Sequence, residues 1–310
     1  MKTRPIAALA ASVLAAVSIA ACSPEDPADG GGGTDGGNGT LTYEDLIAGG
    51  PVADDATIEG SEWASAVREA GALRIGGTET SELFSLLDPT TGELRGFDAA
   101  IGPLLSRYIL GDVEVEFSQV TTETRETLVS NGDVDVVIAT YSITPERDEV
   151  IDFAGPYYSS QAGILVQADN TDITSLDDLA GKTVTTQAAS TGVALLEEFA
   201  PEAEVLPLQD HAQCLTTVQQ GGADAYVIDQ ALLLNALVAN DDVKIVGEPF
   251  GPNDNYGIGV PEGSDGKDFV NDFLQQLIDD GTWEQLWQLT IGDRTGLDEA
   301  PEPPTPGVVD

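Results

Sequence analysis

Residues 133–158 read DVDVVIATYSITPERDEVIDFAGPYY. The β-branched run Asp135–Thr140 has the character of a strand buried on both faces. Ser-Ile-Thr-Pro follows, where Thr144 suits a helix N-cap and Pro145 the first helical position. The free backbone N–H groups of such a turn favour an anion. Arg147 extends from the same turn, and its planar guanidinium matches a carboxylate. The alternative is an ion pair between Arg147 and one of many neighbouring acids.

Working outward, short β-branched runs alternate with helical patterns from Leu73 onward. The runs predict strands at Leu73–Gly76, Val113–Phe117, Asp135–Thr140, Gly163–Val166, Thr183–Gln187, Ala225–Asp229, Val243–Gly247 and Tyr256–Val260. Helical patterns fall at 62–70, 97–110, 123–131, 190–199, 212–220, 230–239 and 266–280. This alternation predicts an α/β protein with parallel-type sheets flanked by helices. Tyr157–Gly163 and Pro249–Tyr256 are rich in small or turn residues and read as crossings between two lobes. Two crossings make the first lobe discontinuous, 41–157 plus 256–296, with 158–255 as the second. A two-stranded hinge then permits closure on a ligand at the carboxyl ends of the strands.

The net charge of −42 excludes nucleic acid and anionic headgroups as partners. Acids are interspersed with Ala, Val, Leu and Gly, as on the solvated surface of a folded protein. Cations are scarce enough to be informative. Of 12 Lys and Arg, Lys2 and Arg4 lie at the N-terminus, leaving 12 − 2 = 10 elsewhere.

Lys2 and Arg4 precede an apolar run, Pro5–Ala20, too short to span a bilayer. The pattern is that of a secretory signal, here 1–21. It ends Ile19-Ala20-Ala21-Cys22, which makes Cys22 the expected lipidation site and anchors the mature chain of 310 − 21 = 289 residues. Residues 22–40 read as a flexible Gly- and Asp-rich tether, and 297–310 as a Pro-rich acidic tail. Cys214 then has no disulfide partner and reads as a small buried hydrophobe. No metal-ligand cluster and no cofactor motif is visible, and a monomer is expected.

The opening stretch resembles the solute-binding proteins of polar amino-acid ABC importers (binding-protein family 3). Ser142-Ile143-Thr144 leading to Arg147, and Asp152-Phe153 leading to Pro156-Tyr157-Tyr158, carry the likeness. Gly96-Phe97-Asp98, Gly132-Asp133-Val134-Asp135 and Gly281-Thr282-Trp283 extend it over Leu73–Trp287. Within the family the chain is most similar to actinobacterial glutamate/glutamine-type lipoproteins, through Leu83-Phe84-Ser85 and the Pro-rich tail. The resemblance implies a two-lobed periplasmic-binding-protein fold (type II) that catalyses no reaction. It also implies an ABC permease as partner and a place on the extracytoplasmic face of a Gram-positive-type membrane.

It further implies residue roles. Arg147 would hold the ligand α-carboxylate with the Ser142 backbone N–H and Thr191. The Thr140 carbonyl and the Ser142 hydroxyl would receive the α-ammonium. Ser190 stands in the run Ala189-Ser190-Thr191 at a helix start, where the alternative is a plain N-cap and both roles can hold together. Asp229 would supply the carboxylate for the ammonium, its alternative being a helix cap. Arg125 falls where acidic amino-acid binders place a cation for the distal carboxylate, and His211 where some place a further polar contact. There are departures: Ser81 stands where many relatives have an aromatic, and no cation lies near Thr78. Glutamate or aspartate is the favoured ligand, with glutamine and asparagine open.

The same residues bear on other classes of protein. A sensor lipoprotein signalling to a membrane partner would use the same site. An enzyme is disfavoured: no His/Ser/Asp triad, metal cluster or phosphate loop is present, and Asp210-His211 is only an adjacent pair.

Overall fold

A computed structural model describes residues 41–309. The expected signal, Cys22 and the tether lie outside the described residues. Three helices open the described chain: α1 (Tyr43–Gly49), α2 (Asp55–Glu59) and α3 (Glu62–Ala70). Sequence patterning finds only the last. The first two are too short for an apolar period to show, although each carries a cap: Thr42 and Asp45 form a capping box on α1, and Asp54 caps α2.

The strands and helices that follow are β1 (Leu73–Gly77), β2 (Thr80–Ser81), β3 (Ser85–Leu87), β4 (Leu94–Arg95), α4 (Phe97–Leu110), β5 (Val115–Gln119), α5 (Arg125–Ser130), β6 (Val136–Ser142), α6 (Pro145–Asp148) and β7 (Asp152–Gln167). Then come β8 (Thr183–Gln187), α7 (Thr191–Phe199), β9 (Glu204–Leu208), α8 (His211–Gln219), β10 (Ala225–Asp229), α9 (Gln230–Ala239), β11 (Val243–Val260), α10 (Gly266–Asp279), α11 (Thr282–Trp287) and α12 (Asp293–Thr295). One 8-stranded sheet has the order β5-β1-β6-β11-β7-β10-β8-β9, beside a small sheet β2-β3-β4. The outer groups of strands are parallel within themselves, whereas β7 and β11 run antiparallel to each other and to their neighbours.

This sharpens the expected architecture. The crossings predicted at Tyr157–Gly163 and Pro249–Tyr256 are not loops but the middles of two long paired strands. Pairing between β7 and β11 shifts register between Val246 and Phe250 and again between Phe250 and Asp254. Those irregularities take in Pro249 and Pro252, which lack the N–H a regular ladder needs. The fold is therefore two-lobed, with β5-β1-β6 and β10-β8-β9 as the halves of one sheet and β7 and β11 as the two strands between them.

The core of the first half packs against the central strands. Phe84, Phe97, Tyr157, Tyr158 and Tyr256 form a buried aromatic cluster, with Phe84 edge-on to Tyr158 at 5.3 Å and Tyr158 stacked on Tyr256 at 5.8 Å. Trp283 joins it, its indole N–H donating to the Tyr157 carbonyl at 2.8 Å. Phe84, fully buried here, is a core residue. The Pro-rich tail docks back on the body, with the Gly307 N–H donating to the Gly155 carbonyl at 2.7 Å. Among the described residues no helix is long and apolar enough to cross a membrane.

Candidate functional site

The opening stretch folds as its residues direct. The Thr144 hydroxyl accepts from the Arg147 N–H, with Pro145 at the first turn of α6. Just before it, β6 carries a bulge: Gly257 to Gly259 of β11 is matched by Tyr141 back to Val137 of β6, two residues' advance against four. Thr140 sits inside that bulge at φ 41°, a left-handed conformation that costs a non-glycine residue about 1–3 kcal/mol. What holds it is Asp98, at the first turn of α4, whose Oδ2 accepts the Thr140 N–H at 2.7 Å. The other oxygen accepts the Tyr157 hydroxyl at 2.8 Å. Burial raises the Asp98 carboxyl to about 7, opposed by these two hydrogen bonds and by the charge of Arg125.

A cavity of about 260 Å³ lies where the two halves of the sheet face each other. Thr78, Ser81, Arg125 and Thr140 line it from one side, Gln187 and His211 from the other. Arg125 is buried, with Nη1 donating to the Ala139 carbonyl at 2.8 Å and the guanidinium carbon 3.8 Å from the Tyr141 ring centre. Its Nε and the Ser81 hydroxyl are buried without a hydrogen-bond partner. Burial, and then repulsion from Arg147, lowers the Arg125 guanidinium to about 9, so it stays charged at neutral pH. His211 is buried and neutral, pushed down to about 4 by burial, with Nδ1 3.2 Å from the Tyr226 hydroxyl. Two orphaned polar groups and a cation on one cavity suit a polar ligand.

Arg147 lies beside this cavity rather than on its wall. Its Nη1 donates to the Ser142 carbonyl at 2.7 Å and its Nη2 to the Ala189 carbonyl at 2.9 Å. Among the described residues neither it nor Arg125 takes part in an ion pair, so the alternative of pairing with a neighbouring acid does not apply to Arg147. Ser190 occupies the N-cap position of α7 but its hydroxyl donates backwards to the Gln187 carbonyl at 2.7 Å. Thr191 donates to Asp254 Oδ2 at 3.1 Å. Asp229 ends β10 at the N-cap position of α9 and makes no capping bond, which removes its bland reading. It is buried, Oδ1 has no partner, and burial together with Asp254 holds its carboxyl well above the usual range.

The structure thus brings Arg125, Thr140 and His211 onto one cavity, with Arg147 and Ser142 beside it. Asp229 and Thr191 meet at Asp254. Sequence reasoning missed Tyr141, Asp254 and Tyr256, and gave Asp98 no role. An acid opening the otherwise apolar run Phe97–Leu110 was a usable signal for Asp98. Asp254, in the turn-like Pro252-Asn253-Asp254-Asn255, gave none. Cys214 is free and fully buried, as expected of a small hydrophobe.

With this geometry in hand, comparison places the chain. The family model for bacterial extracellular solute-binding proteins, family 3, matches residues 73–290, and the chain belongs to that family. It is 31% identical to the ABC transporter glutamine-binding protein GlnH of Bacillus subtilis, over 73% of this chain and 84% of that one. It is 28% identical to the glutamate-binding protein GluB of Corynebacterium efficiens, over 94% of this chain and 92% of that one. A solved structure, the solute receptor for L-cysteine of Neisseria gonorrhoeae, matches with a TM-score of 0.73 and 27% identity, over 77% of this chain and 97% of that one. These relatives are solute-binding proteins and not enzymes.

Proposed function

We propose that the chain is an extracytoplasmic lipoprotein that captures an acidic amino acid, glutamate or aspartate, and delivers it to an ABC importer by cleft closure. The observation that carries the ligand choice is Arg125: a buried, charged guanidinium on the cavity wall with an unpartnered Nε and no ion pair among the described residues. A distal carboxylate would complete it. Arg147 would hold the α-carboxylate, with Ser142, Thr140, Ser190 and Thr191 around the backbone of the ligand and Asp229 on its ammonium. His211, neutral, would contribute a single hydrogen bond.

The lobes would be 41–157 plus 256–296 and 158–255, closing about β7 and β11. Support comes from the order of the sheet, whose outer strands fall into those ranges. Cys22 would carry the lipid, and the protein would act as a monomer.

Glutamine is the second reading. Glu79 and Asp210 also line the cavity and would oppose a second carboxylate, and GlnH is a glutamine-binding relative. Calorimetric titration with the twenty amino acids decides between them. Glutamate or aspartate should bind most tightly, and Arg147→Ala should abolish binding, a loss of about 2–5 kcal/mol for a truncated charge in a desolvated site. Tighter binding of glutamine would select the second reading. Unchanged binding by Arg147→Ala would remove the site as described.

A further inference from the structure

Three buried acceptors meet where β10, β11 and α7 converge. Asp229 is 3% exposed, Asp254 8% and Tyr256 0%. Asp229 Oδ1 and the Tyr256 hydroxyl have no hydrogen-bond partner, while Asp254 Oδ2 is held by the Thr191 hydroxyl at 3.1 Å. Two carboxylates removed from water side by side are unstable as a pair of anions unless a proton or a cation stands with them. No cationic side chain does so: neither acid is in an ion pair among the described residues. Arg147 lies close enough for its charge to favour the ionised Asp229, but its guanidinium donates to the carbonyls of Ser142 and Ala189.

We propose that Asp254 is a second anionic receptor for the ligand's ammonium group, acting with Asp229 and the Tyr256 hydroxyl. The proposal rests on the amino-acid reading of the site given above. An ammonium has three N–H donors and no acceptor. The three residues offer a carboxylate, a second carboxylate and a phenol oxygen, and two of those groups lack a partner until such a donor arrives. The fit selects a charged amine and rejects an acylated one, which keeps a single N–H and no charge. It also explains the position of Thr191, whose hydroxyl holds Asp254 rather than standing free for the α-carboxylate. Because Asp254 lies on β11 and Thr191 opens α7, an ammonium bound here ties the central strands to the second half of the sheet.

Asp254→Asn tests this cleanly, since the amide oxygen can still accept from Thr191 while the charge is lost. Titration with L-glutamate, or with whichever of the twenty amino acids the parent binds most tightly, should show affinity at least tenfold weaker. The melting temperature of the ligand-free variant should be unchanged or higher, because no anion then stands beside the buried Asp229 carboxyl. Tyr256→Phe should weaken the same ligand less, again without loss of melting temperature. Affinity within twofold of the parent in Asp254→Asn overturns the proposal alone. Weaker affinity accompanied by a lowered melting temperature assigns Asp254 a structural role and overturns it as well. A parent protein that binds none of the twenty amino acids overturns both the proposal and the reading beneath it, and the parent control makes that outcome recognisable.

Discussion

The guanidinium of Arg125 lies over the ring of Tyr141, its central carbon 3.8 Å from the ring centre, and Arg147 flanks the same ring at 5.1 Å. Two cations share one aromatic face-partner in a chain of net charge −42. A ring quadrupole partly offsets the loss of hydration of a buried cation, by about 2 kcal/mol when desolvated. It does not replace a counter-charge. The pair therefore remains a locally positive patch inside a strongly negative protein, which is what an anionic ligand requires.

Arg125→Ala should separate ligands by their side-chain charge. Binding of glutamate or aspartate should weaken by about 2–5 kcal/mol as the distal carboxylate loses its partner, while glutamine and asparagine lose much less. Arg125→Lys should restore little, because a point charge on a flexible stem cannot lie flat on Tyr141 while reaching the Ala139 carbonyl. Equal losses for acids and amides would refute the assignment of Arg125 to the distal carboxylate.

Two buried groups should give opposing pH dependences of stability. His211 is lowered from 6.5 to about 4, so its contribution is present above pH 6.5 and is lost as pH falls towards 4. Asp98 is raised from 3.8 to about 7, so its contribution is present below pH 3.8 and is lost as pH rises through 7. At about 1.4 kcal/mol per unit, each effect is a few kcal/mol in size. Thermal melts from pH 4 to 7 should show Asp98→Asn gaining stability with rising pH relative to the parent. His211→Gln should lose stability over the same range. Parallel curves for all three proteins would show that neither group titrates as described.

Much of this was legible in sequence. The six helices expected between 97 and 280 and the strands with unbroken β-branched runs were readable because their apolar periods are long enough to count. β9 was not, since Glu204–Leu208 includes Pro207 and alternates only weakly at an edge. The hinge was readable as a place but not as a structure: small and turn residues that ordinarily mark loops lie inside β7 and β11, whose paired residues are 243 − 167 = 76 to 260 − 152 = 108 positions apart in the chain and supply the ladder. The same distance hid Asp254. The capped turn that carries Arg147 was legible from local chemistry, Arg125 was singled out only by resemblance, and their shared contact with Tyr141 was legible by neither route, because burial is set by what packs from elsewhere in the chain.

Gly96→Ala should be among the most destabilising single-atom changes in the chain. Gly96 adopts φ 139°, and a Cβ there would stand 2.3 Å from the Phe84 carbonyl oxygen and 2.4 Å from its carbon, both rigid backbone atoms. The residue is also the N-cap of α4, so any shift moves Asp98 and with it the Thr140 bulge. A loss of several kcal/mol is expected, in the range of about 3–5 that marks strain combined with core disruption. Urea unfolding should show a lower midpoint with an unchanged slope. A midpoint within 0.5 M of the parent would contradict the close approach.

Closure and recognition rest on different residues. Thr122, before α5, donates from its hydroxyl to the Ala188 carbonyl at 2.5 Å, and Arg147 donates to the next carbonyl, Ala189. Leu83 adds a backbone N–H to Asn235 Oδ1 at 2.6 Å. All three bonds join the two halves of the sheet, so each favours the conformation in which the halves meet. Thr122→Val removes one such bond with little change of shape, at a cost of about 1 kcal/mol to that conformation. Thr122 also lines the cavity, but its hydroxyl is already committed to Ala188. A shift in the closing equilibrium scales the apparent affinity for every ligand by one factor, whatever its side chain. Titration should therefore show glutamate and glutamine weakened by the same roughly fivefold factor, the expected result of 1 kcal/mol. Arg125→Ala, acting on recognition, should change their ratio instead. If Thr122→Val altered the ratio, its hydroxyl would be a ligand contact and not a closing contact.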